Sequence, residues 1–143
     1  MIFSILKALR PQQWIKNTFV FAGIIFSGRL FVVEDLVTTI FGFIIFCFAA
    51  SGVYLFNDSL DVERDKLHPK KKDRPIASGA VPVWLAITLA IVMWIAGLIW
   101  SFLISVNFGL LIAAYILLHI VYTVLLKKVV IWDLMVVSAG FVL

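Results

Sequence analysis

Residues 75–126 form a run of 52 positions without one Asp, Glu, Lys or Arg. A membrane-crossing helix takes about 20 consecutive apolar residues, so this run alone has room for two. The rest of the chain points the same way: 64% of residues are hydrophobic, 14% are charged, and the mean hydropathy is +1.13. Soluble domains are about half apolar and about a quarter charged. A water-soluble globule and a disordered tail are therefore excluded. So is a disulfide scaffold, because the single cysteine, Cys47, lies inside an apolar stretch. The expected fold class is an all-α membrane protein, a multi-span transmembrane helix bundle.

The net charge is +4, which in a soluble protein would raise the question of nucleic acid. No zinc-finger spacing and no basic helix with interleaved aromatics supports that, so no nucleic-acid partner is expected. The charges are placed as punctuation: of 20 charged residues, 11 fall between Asn57 and Arg74. Lys7, Arg10 and Lys16 precede the first apolar stretch, as in a secretory signal, but no small-residue cleavage site follows them.

The expected organisation is a short interfacial helix over residues 1–9, stopped before Pro11. Spans follow over 17–33, 36–56, 81–104 and 108–126, with a turn at Ser105, Val106 and Asn107. Arg29 lies near the end of the first span, where its side chain can snorkel to the head groups. A fifth span starts near Val129 and reads as cut off at Leu143. This is about four complete spans plus the start of a fifth. With the amino terminus in the cytoplasm, 11 lysines and arginines lie inside and one, Arg29, lies outside. The positive-inside rule then puts residues 57–79 on the cytoplasmic face of the cell membrane.

The informative polar residues are Asn57, Asp58, Asp61 and Asp65. If the second span continues as a helix, Asp58, Asp61 and Asp65 stand about 100°, 40° and 80° around the axis from Asn57. Three carboxylates and one amide then share one face as the helix leaves the membrane. Like charges at helical spacing repel. Water with the local cations Arg64 and Lys66 could offset that, and so could a divalent metal. Carboxylate oxygens suit Mg²⁺, which usually completes its shell with waters and substrate phosphate oxygens. Such a site would hold a diphosphate against a membrane-embedded pocket. Two other acidic motifs fail: Asp58 is followed by Ser59, which breaks DDxxD, and Asp61 is followed by Val62, which breaks the CDP-alcohol phosphotransferase pattern.

The segment Asn57-Asp58-Ser59-Leu60-Asp61-Val62-Glu63-Arg64-Asp65 matches NDxxDxxxD. It resembles the first acidic motif of the UbiA-type intramembrane prenyltransferase superfamily. His68-Pro69-Lys70-Lys71-Lys72-Asp73-Arg74-Pro75-Ile76-Ala77-Ser78-Gly79 extends the likeness. Leu9-Arg10-Pro11-Gln12-Gln13-Trp14-Ile15-Lys16-Asn17 narrows it to the decaprenyl-phosphate phosphoribosyltransferase branch. The stretch from Tyr122 to Lys127, with Asp133, resembles that branch too.

The resemblance implies a UbiA-type helix bundle around a lipid-open cavity, with residues 1–143 as the amino-terminal portion of a single domain. Two acidic motifs would face each other across Mg²⁺ and a diphosphate, the second of them in the half that this sequence lacks. By itself the chain would be an incomplete enzyme. The resemblance further implies phosphoribosyl diphosphate as donor and a polyprenyl phosphate as acceptor, at the cytoplasmic face, for a cell-envelope glycolipid precursor. Asp58 and Asp61 are the expected catalytic residues, and Asn57, Asp58, Asp61 and Asp65 the expected metal ligands. Asn57, Lys16, Arg64, Arg74, Tyr122 and Lys127 are expected to bind substrate. The alternative for the cations Lys16, Arg64, Arg74 and Lys127 is a topology signal, and Arg10 could do either job. His68, before Pro69, reads as a turn residue, and His119 and Asp133 as polar groups within spans.

Two other functions fit the same pattern. One is a superfamily member that moves an isoprenoid chain from prenyl diphosphate to an aromatic acceptor. The other is a non-catalytic membrane adaptor or transporter subunit whose acidic loop binds cations. The sequence carries no signal for oligomeric state.

Overall fold

A computed structural model describes residues 1–126. The described residues are helical, with no strand among them. α1 covers Ile2–Leu9 and ends at Arg10, whose backbone is left-handed at φ 54°, ψ 55°. The helix stops before Pro11 as expected, although Arg10 turns left-handed where extended backbone is the usual choice before proline. A 3₁₀ helix, Pro11–Val20, follows and runs directly into α2, Phe21–Phe26. α3 is Val33–Leu60, α4 is Val62–Leu67, α5 is Val83–Ile104 and α6 is Val106–Val121, continued by a π turn over Tyr122–Leu126.

Three helices among the described residues are long and apolar enough to cross a membrane: Val33–Leu60, Val83–Ile104 and Val106–Leu125. They correspond to the second, third and fourth expected spans. Glu34 and Asp35 sit in the first turn of α3, where negative charge meets the positive end of the helix dipole. α5 starts directly after Pro82. Ser105 alone joins α5 to α6, and its hydroxyl accepts the N–H of Phe108 at 3.1 Å. The expected three-residue turn thus shrinks to one residue, because this cap lets Val106 and Asn107 enter the helix.

The first expected span is corrected more substantially. Residues 17–33 do not form one α-helix; the helical rod is Pro11–Phe26, most of it 3₁₀, and residues 27–32 turn into α3. At about 2.0 Å per 3₁₀ residue and 1.5 Å per α residue, the rod is roughly 29 Å long. Its course is set by α3, along which it runs antiparallel. Phe21 meets Phe43 with ring centroids 5.6 Å apart. The Asn17 amide donates to Cys47 Sγ at 3.4 Å, and the Trp14 indole donates to Ser51 Oγ at 2.9 Å. Residues three apart eclipse in a 3₁₀ helix, which puts Trp14 and Asn17 together on the α3 side.

Two apolar clusters hold the bundle. In one, Ile45, Ala49 and Val53 of α3 pack with Trp94 of α5 and with Ile112, Tyr115 and Ile116 of α6. In the other, Leu55 of α3 packs with Ala8 of α1, Ala86 and Ala90 of α5, and the loop residues Ile76 and Val81. Small residues let the helices approach closely: the Trp94 indole lies over Gly52 and donates to the Ala49 carbonyl at 3.2 Å. Large apolar side chains such as Trp84, Ile95, Trp100 and Leu103 face outward on α5, as a lipid-contacting helix requires.

Candidate functional site

The amino-terminal end of the 3₁₀ rod, the carboxy-terminal end of α3, α4 and the loop before α5 meet at one end of the bundle. The loop looks like a solvated charged strap in sequence, but Ile76 is 2% exposed and Ala77 and Pro75 are also buried. Backbone bonds from Ser78 to the Arg74 carbonyl and from Val81 to the Pro75 carbonyl close it into a compact turn. Ile76 therefore pins the loop under the helices, and Arg74, two residues earlier, is carried to the end of α3.

Asp58 and Asp65 are each 3% exposed. Nη2 of Arg10 donates to both carboxylate oxygens of Asp58, at 2.8 and 2.6 Å. Nη1 of Arg74 donates to Asp58 Oδ1 at 3.1 Å and to Asp65 Oδ2 at 2.7 Å. The result is an alternating chain, Arg10–Asp58–Arg74–Asp65, of two cations and two anions. Burial of a charge is costly unless it is paired and hydrogen-bonded, and here each buried carboxylate is paired with a guanidinium. Arg10 also stacks over the Tyr54 ring, 4.9 Å from its centroid.

Arg10 is placed by its backbone. Leu9 ends α1, where carbonyls lack helical partners; its carbonyl accepts the Ser51 hydroxyl at 2.9 Å. Ser51 is fully buried and also accepts the Trp14 N–H. One hydroxyl on α3 thus clamps both sides of the Arg10–Pro11 corner. The sequence left Arg10 open and gave Trp14 and Asn17 a place in the family likeness but no role at the site. The available signal was the spacing of Arg10, Trp14 and Asn17, four and three residues apart, which lays them on one helical face.

The other expected site residues are placed as follows. α3 breaks at Asp61, φ −98°, ψ 5°, so the acidic segment is not one uninterrupted helix. The turn nevertheless continues, since the Asp61 N–H reaches the Asn57 carbonyl at 3.1 Å and the Asp65 N–H reaches the Asp61 carbonyl at 2.8 Å. Asp61 stands 4.0 Å from Nη1 of Arg64, whose side chain is largely exposed. Lys16 is exposed and lies a third of a 3₁₀ turn away from Asn17, off the α3-facing row. Tyr122 is half-buried at the start of the π turn, 57 residues or more from the acidic segment in sequence. Lys127 and Asp133, and the expected fifth span, lie outside the described residues. His68 is a turn residue, its Nδ1 accepting the Lys70 N–H. His119 bonds through Nδ1 to the Tyr115 carbonyl and packs on the Tyr115 ring.

Among the described residues no group of three or more His, Cys, Asp or Glu side chains is arranged to hold a metal ion. The donor chemistry nonetheless fits a hard cation: Asn57 and Asp61 offer oxygen and stand one helical turn apart. Mg²⁺ needs only one or two carboxylates when waters and phosphate oxygens fill its shell. A separate apolar groove of about 360 Å³, lined by Phe41, Ile45, Phe48, Gly97 and Trp100 among others, opens between α3 and α5. It lies roughly 20 Å along α3 from Asp58 and is not part of the charged end.

The model of the UbiA prenyltransferase family matches residues 18–143. The whole chain is 39% identical to the decaprenyl-phosphate phosphoribosyltransferase of Mycolicibacterium smegmatis, of which it covers 46%. It is 37% identical, again along its whole length, to the protein of that name from Mycobacterium tuberculosis, of which it covers 49%. Over 72% of its length it is 30% identical to the digeranylgeranylglyceryl phosphate synthase of Sulfurisphaera tokodaii, covering 35% of that protein. The chain spans about half the length of the phosphoribosyltransferases it matches.

Proposed function

The chain belongs to the UbiA prenyltransferase family, and from that premise we propose that the protein transfers 5-phosphoribosyl from phosphoribosyl diphosphate to a decaprenyl-like polyprenyl phosphate. The reaction takes place at the cytoplasmic membrane face and supplies a cell-envelope glycolipid precursor. The observation that carries the proposal is the paired Arg10–Asp58–Arg74–Asp65 chain at the end of an apolar bundle. It puts fixed charge suited to a phosphorylated donor beside helices suited to a lipid acceptor. The names of the relatives supply the identity of donor and acceptor.

The lipid phosphate oxygen attacks the anomeric carbon of the ribose. The bond from that carbon to the diphosphate oxygen breaks, and diphosphate leaves with the electron pair. A phosphate oxygen is anionic at neutral pH, so the attack needs no histidine base. The barrier lies in charge that develops on the leaving diphosphate, and preorganised cations lower it most effectively. Arg74 and Arg10, each about a quarter exposed, are the fixed cations nearest the acidic turn. Asn57 and Asp61 would hold Mg²⁺, which when bound neutralises diphosphate oxygens.

The donor tests the reading. Membranes that contain the complete gene product are given labelled phosphoribosyl diphosphate with polyprenyl phosphate, or labelled prenyl diphosphate with an aromatic acceptor. Label should reach product only in the first pair. Transfer only in the second pair would replace the proposal with isoprenoid transfer to an aromatic ring. Transfer in neither, with folded protein present, would favour a non-catalytic role.

A further inference from the structure

We propose that Asp58 is not a metal ligand but a positioning residue, which holds Arg10 and Arg74 as a two-guanidinium clamp for a phosphate or diphosphate group. This rests on the transferase reading above and assigns a different job to one member of its acidic motif.

Three observations carry it. First, both oxygens of Asp58 are already occupied. They accept Arg10 at 2.8 and 2.6 Å and Arg74 at 3.1 Å, and the residue is 3% exposed. A carboxylate so buried and so bonded would have to leave two cations to reach an ion. Second, the arginines are the more exposed partners: their side chains are 26% exposed against 4% for the carboxylates behind them. The bonds to Asp58 and Asp65 use one terminal nitrogen of each guanidinium. A guanidinium carries five donors in a rigid fork that suits phosphate. Third, the backbone is committed to this arrangement. Arg10 is the one residue other than glycine with positive φ among the described residues. A left-handed turn crowds the β-carbon of an L-residue, and it persists here under the Ser51 clamp on Leu9 and Trp14. Strain of this kind is held in place where the surroundings over-determine it, and the result is to set Arg10 against Asp58 and over Tyr54.

The division of labour follows from the helix. Asn57 and Asp61 share one turn and would face the ion. Asp58 faces the 3₁₀ rod and the loop, and so orders the cations that arrive from those two elements. Arg10 and Arg74 come from opposite sides of Asp58 in sequence, 48 residues before it and 16 after it. Arg74 is held by Asp65 as well, at 2.7 Å, and Asp58 is the carboxylate that the two arginines share.

The test separates anion binding from metal binding. Purified complete gene product in detergent and EDTA is titrated with labelled inorganic diphosphate. The parent protein should bind it saturably without metal. Asp58→Asn and Arg10→Lys should each weaken that binding by about tenfold or more, the loss expected of one charge-assisted hydrogen bond. In the transfer assay Asp58→Asn should raise the KM for the donor and leave the Mg²⁺ concentration for half-maximal rate unchanged. Asp61→Asn should be the variant that affects metal dependence. Arg10→Lys keeps a cation beside Asp58, so it gives a reading even if Asp58→Asn fails to fold. The proposal is overturned if the parent binds no diphosphate in EDTA, if neither variant weakens that binding, or if Asp58→Asn raises the Mg²⁺ requirement. Metal-free diphosphate binding with no phosphoribosyl transfer would instead remove the transferase reading and leave the clamp standing.

Discussion

Trp94 lies so close over Gly52 that a β-carbon there would stand 2.4 Å from the indole nitrogen. The same indole donates to the Ala49 carbonyl one turn earlier, so it can neither tilt nor withdraw without loss of that bond. Gly52→Ala should therefore push α5 away from α3 and destabilise the protein by roughly 1–3 kcal/mol, the usual cost of overpacking. Gly109→Ala meets the Phe102 ring at an equally short 2.4 Å, but Phe102 is 44% exposed and can swing toward lipid. Thermal unfolding in detergent should show a clearly larger drop for Gly52→Ala. Equal drops would contradict the account of the α3–α5 contact.

Ser51 joins two elements through one buried hydroxyl. Ser51→Ala removes the acceptor for Trp14 and the donor to Leu9 together, and leaves both partners unsatisfied at about 1–3 kcal/mol. The Arg10–Pro11 corner should loosen. Limited trypsin digestion should then cut after Lys16 faster than in the parent protein, while cleavage after the exposed Lys70 stays unchanged.

Arg74 and Arg64 lie ten residues apart and should behave differently. Arg74→Ala leaves Asp65 buried without its 2.7 Å partner, and should cost roughly 3 kcal/mol, the low end for loss of one member of a buried pair. Arg64 is 76% exposed and 4.0 Å from Asp61, so Arg64→Ala should cost about 1 kcal/mol or less. Unfolding midpoints of the two variants compare them directly.

The charged end should face the cytoplasm. Lys71→Cys, in the loop that carries Arg74, should react with a membrane-impermeant maleimide only from the cytoplasmic side. Asn107→Cys, in the first turn of α6 just past the far end of α5 and exposed, should react only from the other side. The reverse pattern would invert the topology.

The long helices were readable from sequence because lipid demands uninterrupted apolar runs, and α3, α5 and α6 are such runs. The first span was readable as apolar but not as 3₁₀, because Trp14 and Asn17 are drawn onto α3 by contacts with residues 37 and 30 positions away. The loop around Lys70–Arg74 reads as solvated because charge dominates its composition; only the structure reveals Ile76 beneath the helices. The acids were readable as one cluster, since helical spacing alone puts them on one arc. Their pairing with Arg10 was not, because it joins residues 48 apart through a left-handed backbone turn that proline in the next position ordinarily disfavours.

The central claim is that the turn from Asn57 to Asp65 is the diphosphate end of a transferase. The most direct measurement is transfer of label from phosphoribosyl diphosphate into the lipid phase by membranes that contain the complete gene product, parent or Asp61→Asn, with Mg²⁺ or with EDTA. The account predicts label in lipid for the parent with Mg²⁺, and background for EDTA and for Asp61→Asn at equal protein level. Transfer by Asp61→Asn at a rate near that of the parent would contradict it.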